Sequence, residues 1–182
     1  MRWGEIKDGI EKLQQASNSY DISLVVGSSW YSDSKIYNSA LIIRPHASLL
    51  IYYKNNLTEY DKRYFATGKT TLEFDIKGIK CGVLICRDQN YPLLAMKYRR
   101  VKILFYLSSH YYGMEEALKK ELKNKAFPIV RALENKIYVA KADAVGMHNG
   151  LVSIGGSIVV DPNGYVVAEA KKGKEEVLKF QF

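Results

Sequence analysis

The stretch Lys80-Cys81-Gly82-Val83-Leu84-Ile85-Cys86-Arg87-Asp88-Gln89-Asn90-Tyr91-Pro92 decides the fold. Residues 80–85 are nearly all apolar, the pattern of a strand buried on both faces. Cys86 ends that run, a polar turn follows, and Pro92 stands where a helix would begin, because proline fits the first helical turn. The cysteine therefore sits at a strand-to-helix elbow. Such a turn exposes a side chain at the sheet edge, where nearby backbone N–H groups can lower a thiol pKa and hold an oxyanion. A buried core cysteine is the plain alternative. Cys81 and Cys86 fall on opposite faces of an alternating strand, so no disulfide between them is expected. Their spacing and the lack of a nearby histidine also give no metal-site pattern.

Working outward, residues 72–75 and 80–85 read as a hairpin across Lys77-Gly78. Upstream, Ile6, Ile10, Leu13 and Ala16 recur at helical spacing, predicting an amphipathic helix over 5–18. Strands are predicted at 22–27, 37–44 and 48–53, the last two as a hairpin, and 55–68 as a long loop with room for a helical turn. Lys54 ends the third strand. It is read either as a solvated lysine or, if held near Cys86, as a group that stabilises developing negative charge. Downstream, a helix is predicted over 93–100 behind Pro92, a buried strand over 103–107, and a long helix over 114–135 interrupted or kinked near Pro128. Strands at 137–142, 152–160, 165–168 and 176–180 alternate with turns, of which Asp161-Pro162-Asn163-Gly164 is the strongest signal. His46, His110 and His148 carry no local Cys-His or Ser-His signature and are assigned surface or structural roles.

The 182 residues suit one mixed α/β domain, 47% apolar and 25% charged, which disfavours disorder and fibrous architectures. The net charge of +8 raises the question of nucleic acid. The positive residues are scattered, with short groups at 97–102, 119–125 and 171–174, and no nucleic-acid motif accompanies them, so a solvated surface is expected. No apolar run reaches the ~18–20 residues that span a bilayer, so no membrane partner and a cytoplasmic location are expected.

Taken together, the segments resemble the nitrilase superfamily of carbon–nitrogen hydrolases. Val25-Val26-Gly27 with Tyr37-Asn38-Ser39-Ala40, Tyr53-Lys54-x-x-Leu57, and Gly82-Val83-Leu84-Ile85-Cys86-Arg87-Asp88 with Tyr91-Pro92 resemble family motifs in the family's order. So do Arg131-Ala132-Leu133-Glu134-Asn135 and Gly155-Gly156-Ser157 followed by Asp161-Pro162-x-Gly164. The resemblance implies an α/β fold of the α-β-β-α sandwich type over 1–182. It implies hydrolysis of non-peptide C–N bonds, in amides or nitriles, through a cysteine thioester, without metal or organic cofactor. It assigns Cys86 as nucleophile, Lys54 as oxyanion stabiliser together with the backbone N–H of Arg87, and Asp61 as the acidic group behind the lysine, with Glu59 as a neighbouring possibility.

The family also uses a catalytic glutamate in a Pro-Glu motif ahead of the Val-Val-Gly strand. Here a helix alone precedes that strand, with Glu5 and Glu11 inside it, so the chain is expected to begin after the first β-α-β portion of the fold. A homo-oligomer that covers the strands so exposed is expected. Asn56, Thr67, Arg87 and Leu93 replace the family's usual histidine, proline, aromatic residue and glutamate. The alternative reading is a catalytically impaired homologue serving as a binding or assembly subunit.

Overall fold

The computed structural model describes residues 3–181. They form two compact units that part between Leu72 and Glu73.

The first unit opens with helix α1, Trp3–Tyr20. It ends where Asp21 turns to φ +49 and the Ser17 hydroxyl donates to the Ile22 carbonyl at 2.7 Å. Three antiparallel strands follow in the order β1 (Leu24–Ser32), β2 (Lys35–Ile43), β3 (Leu50–Tyr53). The first two are longer than 22–27 and 37–44 suggest. Asp33 and Ser34, at φ +49 and +59, close a two-residue hairpin that pairs Ser32 with Lys35. Both central residues have positive φ, as a type I′ turn requires, but Asp-Ser lacks the glycine that announces such a turn in sequence. Strand β2 is central, and Ala40 to Ile43 are buried in an unbroken run. One 3-10 turn, Asp61–Arg63, lies in the long loop after β3.

The second unit is built on a six-stranded sheet. In chain order its elements are β4 (Glu73–Ile76), β5 (Ile79–Ile85), a 3-10 turn Cys86–Asn90, α2 (Pro92–Ala95), β6 (Ile103–Ser108), α3 (Met114–Asn135), β7 (Tyr138–Asp143), β8 (Val145–His148), β9 (Leu151–Ile154), β10 (Ile158–Val160) and β11 (Val166–Glu169). The sheet order is β11-β10-β7-β6-β5-β4, with β5, β6 and β7 parallel and the other pairs antiparallel. Val83, Leu84, Leu104 and Val139 are fully buried, as strands covered on both faces require. Gly82 is needed in this layer because a Cβ there would run into the Tyr98 ring.

Three expectations are corrected. Residues 152–160 are not one strand: Gly155 and Gly156, at φ +79 and +153, break the run into β9 and β10. Strand β9 instead forms a small hairpin with β8 across Asn149-Gly150, both at positive φ. Residues 176–180 form no strand, having no ladder partner. Helix α3 runs uninterrupted through Pro128. Proline lacks the N–H that would bond the carbonyl four residues back, and that carbonyl, on Asn124, accepts from Lys141 Nζ at 3.3 Å instead.

Candidate active site

In the first unit, Lys54 lies just past β3 and is buried, its side chain only 3% exposed. Its backbone is fixed on both sides, the N–H donating to Asn38 and the carbonyl accepting from Gly68, each at 2.9 Å. The ammonium donates to Asp61 Oδ2 at 2.7 Å. The same oxygen accepts from the Thr58 amide at 2.9 Å, while the Asp61 N–H donates to Thr58 Oγ1 at 3.0 Å. Burial pushes the Asp61 carboxyl up, but the bond from Lys54, the Thr58 donors and the ammonium's charge outweigh it and hold it below the usual carboxylate value. Of the two acidic candidates in this loop, Asp61 meets the lysine. Glu59 is exposed and pairs with Lys62 at 2.7 Å.

In the second unit, Cys86 follows β5 and takes φ +46, a left-handed conformation that is uncommon for a non-glycine residue and is held here by constraint from its neighbours. The constraint is visible around it. The carboxylate of Asp88, fully buried, accepts from the Ile85 amide at 3.2 Å and ties the turn back onto the strand. From α3, Arg131 Nε donates to the Gln89 carbonyl at 2.9 Å. Arg131 is itself oriented by Glu134 at 2.5 Å, and Asn135 Nδ2 donates to the Arg131 carbonyl at 2.9 Å. The Arg-Ala-Leu-Glu-Asn segment thus acts as a brace on the cysteine turn. Arg87, the next residue, lies in the first turn of the 3-10 stretch Cys86–Asn90, where backbone N–H groups have no partner within the helix.

Two further residues join Cys86 that sequence reasoning missed as site residues. His110, 8% exposed, follows β6, and its Nδ1 lies 2.9 Å from Asp143 Oδ2 at the end of β7. Lys141 Nζ lies 2.9 Å from the same oxygen, and both of those side chains are fully buried. The imidazole also hydrogen-bonds the Cys86 side chain. Burial pushes the His110 pKa down, but the bonds to Asp143 and Cys86 and their negative charges overcome it and raise the ring to about 9. Asp143 is held low in spite of its burial by the bonds and charges of His110 and Lys141. Its amide donates to Ser157 Oγ at 3.0 Å, and a Cβ on Gly156 would come within 3.2 Å of both Asp143 Oδ2 and Lys141 Nζ. The Gly-Gly-Ser segment therefore lets the backbone approach the ion pair. His46 and His148, by contrast, are exposed.

The signal for His110 was topological. Cys86, His110 and Asp143 stand at or just past the C-terminal ends of three neighbouring parallel strands, where open α/β sheets place their ligands and chemistry. Each is a polar residue closing an apolar run, but the parallel order that aligns the three is not written in any one segment. The other thiol has a different setting. Cys81 is buried inside β5, and burial together with the charge of Asp75 pushes it up to about 11.

The carbon–nitrogen hydrolase family model matches residues 8–181. A nitrilase of Pyrococcus abyssi is 31% identical over 91% of this chain and 61% of its own length. An (R)-stereoselective amidase of a Pseudomonas species is 30% identical over 92% of this chain and 60% of its own. The crystal structure of Saccharomyces cerevisiae Nit3, a nitrilase-superfamily member, superposes with a TM-score of 0.81 at 28% identity, covering 91% of this chain and 62% of that one. The chain thus spans about three fifths of the length of these relatives. With its mixed α/β fold and its motifs in register, it belongs to the carbon–nitrogen hydrolase family.

Proposed function

We propose that this chain serves hydrolysis of a non-peptide C–N bond, in a small primary amide, through a thioester on Cys86. The observation that carries the reading is the cysteine's own geometry. A residue held at φ +46 at the C-terminal end of a buried parallel strand, braced by Asp88 and Arg131, is constrained in a way a packing cysteine does not need. The thiolate attacks the carbonyl carbon and the resulting oxyanion requires positive charge and N–H donors. Lys54 is read as the source of that charge, with Asp61 as the group that orients it and the Arg87 N–H as a backbone donor. The buried Lys54–Asp61 pair supports this, because an ammonium fixed by a carboxylate needs no reorganisation when the oxyanion develops. An amide is favoured over a nitrile because the relatives include several amidases beside the nitrilase.

The test is direct. The protein is incubated with a panel of short aliphatic carboxamides, ammonia release is followed, and the Cys86 peptide is examined by mass spectrometry after an acid quench. An acyl adduct on Cys86, absent from Cys86→Ala along with ammonia release, is expected. Ammonia release that survives Cys86→Ala overturns the assignment.

A further inference from the structure

We propose that strand β1 pairs with the β1 of a second copy of this chain, antiparallel and about a two-fold axis at Ser28, joining two three-stranded sheets into one. The inference stands apart from the chemistry of Cys86 and concerns the first unit alone. It starts from the sheet edges. Natural proteins guard an edge strand with charges, proline, a bulge or short length, because its unpaired N–H and C=O groups are a template for another strand. Of the edges of the two larger sheets, three are guarded in this way. Strand β4 is four residues long and carries Glu73 and Asp75, β11 is four residues long with Glu169 and pairs through a register shift, and β3 is four residues long. Strand β1 runs for nine residues, LVVGSSWYS, with no charge, no proline and no break in its register to β2.

The hydrogen bonds identify the groups that β1 offers. On β2, the carbonyls of Ile36 and Asn38 accept from the amides of Ala66 and Lys54, at 2.7 and 2.9 Å, and so point away from β1. By alternation, Tyr37 and Ser39 point toward β1, and their partners Trp30 and Ser28 point toward β2. That leaves the N–H and C=O groups of Val25, Gly27, Ser29 and Tyr31 on the outer edge. Among the described residues one bond reaches them, a local one from the Ser28 hydroxyl to the Ser29 carbonyl at 3.1 Å.

A second β1 fits this edge in one register. With Ser28 opposite the partner's Ser28, Val25 meets the partner's Tyr31 and Gly27 meets the partner's Ser29, so every outward group on both strands is paired. Moving the axis to Gly27 leaves Tyr31 without a partner in β1, and moving it to Ser29 does the same to Val25. The same register sets Val25 beside the partner's Tyr31 and Val26 beside the partner's Trp30, β-branched and aromatic pairs of the kind that stabilise antiparallel sheets, and it opposes no charges. Helix α1, which packs on β1 and β2, also has apolar surface left to cover: Ser17 is its one fully buried residue, while Ile6, Ile10 and Leu13 are half-buried. A two-fold axis normal to the joined sheet carries both α1 helices to the same face. Each copy uses its one unguarded edge, so the assembly closes at two.

The test uses the full chain in analytical ultracentrifugation, where the parent is expected to sediment as a dimer. Ser28→Lys and Ser28→Asp each set like charges face to face at the axis and weaken dimerisation by about tenfold or more. An equimolar mixture of the two is expected to restore the dimer, which also shows that both variants fold. A monomeric parent overturns the proposal, as does a mixture that stays monomeric. So does a dimer that Ser28→Lys leaves intact, since it forms through another face. The register is read separately, in a Cys81→Ala/Cys86→Ala background that removes both native thiols. Directly opposed residues of a non-hydrogen-bonded pair lie about 4.5 Å apart at Cα, within disulfide reach, so Ser28→Cys is expected to cross-link two copies on mild oxidation. Ser29→Cys, which faces the partner's Gly27, is not. Absence of the Ser28→Cys cross-link, or equal cross-linking of the two variants, overturns the pairing.

Discussion

Replacing Asp61 by Asn removes the counter-charge of Lys54 with almost no change in volume. At the observed 2.7 Å, two unit charges in an effective dielectric of about 20 attract by about 6 kcal/mol before any solvation is counted. The net figure is smaller, because both groups were desolvated to make the pair. Removing one partner of a buried pair typically costs about 3–5 kcal/mol. Asn keeps an acceptor for Lys54 and for the Thr58 amide, and Asp61 is 11% exposed, so the low end, about 3 kcal/mol, is expected. The assay is favourable, because both tryptophans, Trp3 and Trp30, lie in the first unit. Urea unfolding followed by tryptophan fluorescence therefore reports on the unit that holds the pair. Asp61→Asn, Lys54→Met and the double variant complete a cycle. The double variant is expected to lose less than the two single losses combined, since it leaves neither charge stranded. An Asp61→Asn variant within about 0.5 kcal/mol of the parent, or a strictly additive double variant, refutes the picture of a buried, mutually dependent pair.

The two perturbed pairs also set opposite pH limits. Asp61 is held below its unfolded value of about 3.9, so its stabilisation is present above that pH and is lost as pH falls through the lower folded value. The difference between parent and Asp61→Asn should vanish at the acid end of a series of urea titrations. His110 is raised to about 9 from an unfolded value of about 6.5, so its contribution is complete below about pH 6.5 and is lost as pH rises through about 9. Thermal melts of the parent and His110→Gln are expected to converge across that window, and a gap independent of pH would contradict it. Gly82→Ala, which drives a methyl group into the buried Tyr98 ring, should cost about 1–3 kcal/mol in urea unfolding. A neutral outcome would mean that the Tyr98 ring gives way at little cost.

Much of this arrangement could be read from the sequence where a single segment carries its own signal. The apolar run into Cys86, the proline that starts α2 and the Lys77-Gly78 turn each fix local structure without help from distant residues. Lys54 and Asp61 are seven residues apart, and the loop between them is short enough for the pairing to be anticipated from the family pattern. His110 and Asp143 are separated by 33 residues and meet only because β6 and β7 run parallel on either side of α3. A histidine's partner at that distance is a property of strand order. The hairpins at Asp33-Ser34 and Asn149-Gly150 were missed for different reasons. The first lacks a glycine, and the second is flanked by strands of only four residues, too short for alternation to be recognised.

Pro128 bears on any effort to make this protein sturdier. An interior proline is the first position a stabiliser of helices would change, because alanine there is favoured by about 3 kcal/mol. Yet the carbonyl that Pro128 leaves vacant inside α3 is the one that steadies Lys141, which holds Asp143 and through it His110. An alanine N–H would compete for that carbonyl and loosen the lysine. The helix would gain firmness while the histidine lost its bearing, so the melting temperature and the orientation of the site are set against each other at one residue that touches no substrate.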